Sequence, residues 1–250
     1  MNEGGLIYCC DTKVGDVKFW CPNEITWWRA ETLLTKEPET IEWIDGFNPG
    51  DVYWDVGGNI GVYALYAAKH SGVKVLAFEP SPLNYFALCR NTEINGLGES
   101  LSAMCLAFND REQLEYLNMT SFEIGSAMAS FGETKDFKGN EFKPVYRQAM
   151  IGISIDDFVA RFNPPFPNHL KIDVDSIEGK IVAGAANTLA DKRMKSVSVE
   201  LDDNRQDEID WVSENLRRAG FVLKHKKHSA MFENTRFSSA NNYLFVRTEG

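Results

Sequence analysis

The run Val52-Tyr53-Trp54-Asp55-Val56-Gly57-Gly58-Asn59-Ile60-Gly61 constrains this chain more than any other stretch. A β-prone apolar segment enters a glycine-rich turn, and the turn opens a stretch with helical character, Gly61 to Lys69. Gly57 and Gly61 let a ligand approach the backbone, Gly58 keeps the turn uncrowded, and the helix start is expected to offer unpaired N–H groups. Asp55, at the strand end, is placed to accept from a cationic amine. Eighteen residues past Gly61 an apolar strand, Val75-Leu76-Ala77-Phe78, ends in Glu79, and Pro80 stops it. A carboxylate at that point can hold both ribose hydroxyls of a nucleoside. The turn and the acid together are far more specific than the glycines alone.

Two nucleoside cofactors suit such a junction. A dinucleotide fold wants G-x-G-x-x-G, which seats a pyrophosphate on the helix N-terminus. Here the glycines read G-G-N-I-G, and Asp55 would repel phosphate while suiting the ammonium of a methionine moiety. The expected cofactor is therefore S-adenosylmethionine (SAM), with NAD as the competing reading.

From Val52 onward short apolar runs alternate with helical stretches, the pattern of an α/β fold with a mainly parallel sheet. Strands are expected at Val52 to Val56, Val73 to Phe78, Leu101 to Ala107, His169 to Val174, Val197 to Leu201, Phe221 to His225 and Tyr243 to Arg247. Helices are expected at Gly61 to Lys69, Pro82 to Asn95, Gly179 to Leu189 and Asp207 to Ala219, and an earlier one at Pro38 to Phe47. Residues 1–50 read as a cap segment of the same domain, and 51–250 as the cofactor-binding body. An insertion at about 113–150, rich in Met, Phe, Gly and Ser, reads as a hairpin or lid, in which Gly125-Ser126 are candidates to reach the substrate.

The formal net charge of −10 and the absence of a dense Lys/Arg run weigh against a nucleic-acid partner. They favour a neutral or cationic small molecule. Five cysteines without metal-ligand spacing read as reduced thiols. No apolar run approaches the ~20 residues of a membrane span, and Met1 to Gly5 lacks the basic and apolar regions of a signal peptide. The expected location is the cytoplasm.

Asp55-Val-Gly-Gly-Asn-Ile-Gly61, Phe78-Glu79-Pro80-Ser81-Pro82 and Leu170-Lys171-Ile172-Asp173-Val174 together resemble the FkbM-type methyltransferases. Thr35-Lys36-Glu37-Pro38-Glu39-Thr40 and Ser154-Ile155-Asp156-Asp157-Phe158 fit as well, so the resemblance spans residues 30–247. It implies a class I Rossmann-like methyltransferase fold with a seven-stranded sheet whose last strand is antiparallel. It also implies SAM as methyl donor, S-adenosylhomocysteine as product, and methyl transfer to a hydroxyl of a sugar, glycan or natural product. The expected cofactor set is Glu37, Asp55, Gly57, Gly58, Asn59, Gly61, Glu79, Pro80, Ser81, Ala107 and Asp173. Gly58 stands for the alanine of the family pattern D-V-G-A-N-I-G, a harmless change. Two further positions depart from its K-I-D-V-E-G-x-E: Asp175 stands for the Glu and Ser176 for the Gly. Those departures also support a domain that binds SAM without turnover.

Asp173 lies at the carboxyl end of its strand, where open α/β folds bind ligands, and Lys171 shares its face by strand alternation. Asp173 is expected to orient or deprotonate the acceptor, beside Lys171, and Glu178 or Glu200 is the second candidate for the base. The competing role is a structural carboxylate paired with Lys171. A magnesium site built from Asp173, Asp203 and Asn204, beside Asp202, is weighed as a minor alternative to no metal. Asn163-Pro164-Pro165-Phe166 resembles the N-P-P-[YF] run of amino-group methyltransferases. It precedes the strand at His169 to Val174 instead of following it, and reads as a loop. Trp27 and Trp28 could line a sugar site, but packing is the expected job of all six tryptophans, Trp211 included.

Overall fold

Strand and helix alternate from the strand Val52–Val56 to the strand Leu101–Met104, and again after the insertion, in the computed structural model, which describes residues 5–248. Met1 to Gly4, part of the stretch read for a leader peptide, lies outside those residues. The chain forms two compact units: residues 1–105 with Phe122–Ala127, and Leu106–Ser121 with 128–250.

The first unit opens with β1 (Leu6–Cys10) and β2 (Val17–Cys21), paired antiparallel. Asn23 then caps α1 (Glu24–Glu31), its side chain accepting from Thr26 N–H while Thr26 reaches back to Asn23 N–H. Proline at the first turn starts α2 (Pro38–Asp45). There follow β3 (Val52–Val56), α3 (Val62–Lys69), β4 (Lys74–Phe78), α4 (Pro82–Ile94) and β5 (Leu101–Met104). β3, β4 and β5 are parallel neighbours in that order. Residues Tyr63 to Ala68 of α3 are all buried. A helix apolar all round must be enclosed, and its neighbours Tyr53, Val75, Leu88 and Leu101 belong to the same core.

The second unit contains β6 (Ala107–Phe108), β7 (Gln113–Met119), β8 (Ala129–Phe131), β9 (Tyr146–Ile153), α5 (Ile155–Phe162) and β10 (His169–Ile172). After them come α6 (Glu178–Ala183), α7 (Ala186–Ala190), β11 (Ser196–Asp202), α8 (Gln206–Arg218), β12 (Phe221–Lys227) and β13 (Ala240–Arg247). β10 and β11 are parallel, and β13 runs antiparallel to both β11 and β12. The units thus supply the strands of a seven-stranded, mainly parallel sheet: β3-β4-β5 from the first, β12-β13-β11-β10 from the second. The antiparallel last strand agrees with the expectation.

Three expectations need correction. The strand expected over Leu101 to Ala107 stops at Met104, because Ala107 and Phe108 pair instead with Gly152 and Ile153 of β9. The helix expected over Gly179 to Leu189 breaks at Gly184, where the chain passes so close to Asn109 that a Cβ would lie 2.2 Å from its carbonyl oxygen. The insertion is more than a hairpin: β7, β8 and β9 join β6 in a four-stranded sheet, order β6-β9-β7-β8.

Candidate active site

At the end of β3 the chain turns through Gly57 (φ +89°), Asn59 (φ +49°) and Gly61 (φ +90°). Every N–H of this turn has a partner inside the protein. Those of Gly57 and Gly58 both donate to the Phe78 carbonyl, at 2.9 and 3.1 Å. Asn59 N–H donates to Glu79 Oε2 at 2.8 Å and Ile60 N–H to Asn59 Oδ1 at 3.0 Å. Gly61 N–H closes onto Gly58 carbonyl at 2.7 Å. No N–H of residues 57–61 is therefore left for a pyrophosphate, and the helix start expected to offer unpaired N–H groups lies just beyond this turn, at Val62.

Glu79 is the pivot. It is buried, and its other oxygen accepts from Ser81 N–H at 2.8 Å. A carboxylate has roughly four acceptor directions, so two backbone bonds fix its plane without exhausting it. The thiol of Cys105 meets the Pro80 carbonyl at 3.6 Å. Burial, then the charge of Glu79, pushes that thiol up, which keeps it protonated. Asp55 is also buried, and Tyr53 Oη donates to its Oδ1 at 3.2 Å. Tyr53 was not legible as a site residue because a strand tyrosine reads as core. Glu37, beside α2, is buried, with Lys36 Nζ at 2.8 Å and Thr40 Oγ1 at 3.0 Å.

Sequence reasoning also missed what holds Phe122–Ala127 in the first unit. The Ser126 carbonyl accepts from Asn59 Nδ2 and from Asn84 Nδ2, 2.9 Å each. Asn84 Oδ1 accepts from Gly125 N–H at 2.7 Å, and Arg29 Nε donates to the Gly125 carbonyl at 2.6 Å. Asn23 Nδ2 donates to the Ile124 carbonyl at 2.9 Å. Gly125-Ser126 carried the only signal, and nothing in the spacing of Asn23, Arg29 and Asn84 pointed to them.

In the second unit, Lys171 is 2% exposed and its ammonium donates to the Asp173 carboxylate, which is 21% exposed just past the end of β10. Lys171 and Asp173 share a face as strand alternation leads one to expect, and their ion pair is the contact that the competing, structural role of Asp173 calls for. Ala107, from the expected cofactor set, is buried in β6. Asp175 adopts φ +70°, and its Oδ2 accepts from Met128 N–H at 2.7 Å. Ser176 Oγ donates to Ser130 Oγ at 2.7 Å. Both departures from the family pattern thus tie the loop after β10 to the start of β8. Glu178 is wholly buried, its Oε1 accepting from Val174 N–H at 3.2 Å. Burial first, and the charge of Glu208 second, pushes its carboxyl up to about 8. Burial thus favours its protonated form, and its contacts serve that loop.

The remaining candidates fare differently. Asp203 accepts from Lys226 Nζ at 2.6 Å and from Tyr243 Oη at 3.0 Å, and the Asn204 amide donates to Asp202 Oδ1 at 2.9 Å. These groups are spent on protein partners, which disfavours the magnesium reading. Asn163 is the left-handed C-cap of α5 (φ +43°), and Phe166 stacks under the Arg193 guanidinium at 3.7 Å. Asn163-Pro164-Pro165-Phe166 lies before β10, at the strand end opposite Asp173, as the loop reading expects. Trp211 is 42% exposed rather than core, and lines a cleft of 770 Å³ with Gly179, Lys180, Asn204, Arg205 and Asp207.

A parallel-stranded α/β fold with an acid after β4, clamped to a glycine turn that cradles no phosphate, defines the Rossmann-like methyltransferase class. The sequence model of the methyltransferase FkbM domain matches residues 55–223. This chain belongs to that family, whose members depend on SAM. It is 54% identical over 44 residues, 17% of either chain, to the 31-O-demethyl-FK506 methyltransferase FkbM of Streptomyces tacrolimicus. It is 26% identical over 167 residues to the hexuronic acid methyltransferase AglP of Haloferax volcanii, covering 65% of this chain and 61% of that one. The methyltransferase FkbM structure from Methylobacillus flagellatus KT superposes with a TM-score of 0.51 at 13% identity, over 80% of this chain and 44% of that one. The chain therefore spans less than two thirds of each of these relatives. Gly58 stands where the family pattern has alanine, and a Cβ there would meet Asp55 Oδ2 at 3.5 Å and Ala77 Cβ at 3.6 Å. These are ordinary contacts, so the turn accommodates either residue.

Proposed function

We propose that this chain is a SAM-dependent O-methyltransferase acting on a hydroxyl of a sugar, glycan or other small natural product. The observation that carries the reading is Glu79. Its carboxylate is buried and aimed by two backbone N–H groups, beside a turn whose own N–H groups are all occupied. That arrangement suits a ribose without a pyrophosphate, which favours SAM over NAD. Oxygen as acceptor is supported by the relative named a 31-O-demethyl-FK506 methyltransferase, and a sugar as substrate by the one named a hexuronic acid methyltransferase.

When bound, SAM supplies an electrophilic methyl on a sulfonium that is already a good leaving group. The protein's task is then mainly placement. In this reading Asp55 holds the ammonium, Glu79 the ribose, and residues 57–61 pack against the nucleoside; Glu37, Pro80, Ser81 and Ala107 complete the cofactor set. Asp173 orients the acceptor hydroxyl and takes its proton late in transfer. Lys171 fixes Asp173, and Glu178 holds the loop that carries them. The acceptor meets the protein in the cytoplasm. Among the described residues no helix is long and apolar enough to cross a membrane.

Calorimetric titration with SAM, S-adenosylhomocysteine and NAD tests the cofactor. Binding of both adenosyl ligands but not NAD is expected. Binding of NAD alone refutes the methyltransferase reading. Incubation with SAM and a panel of hydroxylated acceptors, followed by mass spectrometry, tests the chemistry through a gain of one methyl on oxygen.

A further inference from the structure

The segment Phe122–Ala127 departs from its sequence neighbours, leaving the second unit after Ser121 and rejoining it at Met128. It seats on the glycine turn and on the first turn of α4, the two elements that Glu79 clamps together. Five hydrogen bonds from side chains hold it, from Asn23, Arg29, Asn59 and from both ends of the Asn84 amide. Asn84 is buried, and so is Gly125. Gly125 has φ +84°, and a Cβ there would lie 2.9 Å from Thr26 Cγ2, so the seat accepts only glycine without a shift.

Asn59 connects this seat to the cofactor site. It is left-handed at φ +49°, a conformation that costs a non-glycine residue free energy unless its side chain is held. Its backbone N–H aims the Glu79 carboxylate, its Oδ1 takes Ile60 N–H, and its Nδ2 reaches the Ser126 carbonyl. That carbonyl is itself positioned by Asn84. We propose that Phe122–Ala127 is a strap that holds the cofactor turn in its binding geometry, with Asn84 and Arg29 as positioning residues for SAM. The inference rests on the cofactor reading above. Because coupling between two sites is reciprocal, a ligand on Glu79 must also hold the strap closed.

The test uses a glutamate-specific protease, because Glu123 in the strap is exposed. Cleavage after Glu123 is followed by mass spectrometry with and without S-adenosylhomocysteine, and the Kd of that ligand is measured for wild type, Asn84→Ala and Arg29→Ala. Saturating ligand is expected to slow the cut. Each variant is expected to be cut faster and to bind about tenfold more weakly, the effect of losing one or two net hydrogen bonds from the closed strap. If the wild type binds no ligand, the cofactor reading falls, and this proposal with it. If ligand binds while Glu123 stays equally open, or if the variants bind as wild type does, the proposal alone falls. Should Asn84→Ala fail to fold, Arg29→Ala and the wild-type protection decide.

Discussion

Replacing Gly61 by alanine tests the physics of the cofactor turn most directly, because Gly58, three residues earlier, serves as its control. A Cβ on Gly61 would lie 2.5 Å from Leu88 Cδ1, and Leu88 is fully buried in α4. At φ +90° the new residue also sits beyond the left-handed well, at a cost of about 1–2 kcal/mol. Displacing Leu88 within a packed core adds about 1–3 kcal/mol. The sum, about 2–5 kcal/mol, is a large share of the ~5–15 kcal/mol that stabilises a typical protein. Gly58→Ala meets only ordinary contacts and no positive φ, so it should lie within ~0.5 kcal/mol of wild type. Urea unfolding followed by tryptophan fluorescence measures both. A double-mutant cycle separates the two costs of Gly61→Ala: adding Leu88→Ala should remove the overlap and leave the backbone strain, a coupling of about 1–3 kcal/mol. If Gly61→Ala unfolds within 0.5 kcal/mol of wild type, or Gly58→Ala is the costlier change, the account of this turn is wrong.

Glu79→Gln keeps the shape but turns an amide NH₂ toward a backbone donor at Asn59 or Ser81; S-adenosylhomocysteine should bind at least about tenfold more weakly by calorimetry. An unchanged Kd would remove Glu79 from the site. Asp173→Asn should leave that Kd within about twofold while lowering kcat by about 10²-fold; equal turnover would leave Asp173 a purely structural partner of Lys171. Glu178 gives a pH dependence. Its folded pKa, about 8, lies above an unfolded value of about 4.3. The folded state therefore holds its proton more tightly, and the stability linked to it is full below about pH 4.3 and lost as pH rises to about 8. Glu178→Gln should flatten that decline, becoming more stable than wild type by a few kcal/mol at pH 9; identical unfolding profiles at pH 5 and pH 9 for the two proteins would refute the buried neutral acid.

The strands and helices were largely legible because their cues are local. Val52 to Val56 is observed as expected, and Pro82 and Pro38 mark their helix starts. Where the reading slipped, a distant partner had intervened. β5 ends at Met104, three residues early, because Ala107 and Phe108 pair with β9, far along the chain. Gly184 breaks a helix because the Asn109 backbone passes against it. Trp211 looked like core from its residue type, yet it lines a cleft.

The sequence by itself determined the strand–turn–helix at Val52 to Lys69, the acid at Glu79 and the Lys171–Asp173 alternation. Each depends on backbone geometry over a few residues: a glycine that permits a left-handed turn, a strand that ends where an acid begins, a period of two. Tertiary structure alone decided how those residues are used. It spent the turn's amides on Phe78 and Glu79, committed Asp203 to Lys226, and enclosed Glu178 until its proton became hard to remove. It also brought Ser126 onto Asn59, 67 positions away. Hydrogen bonds and burial depend on which groups meet in space, and residues so far apart in the chain meet only once the core between them has closed.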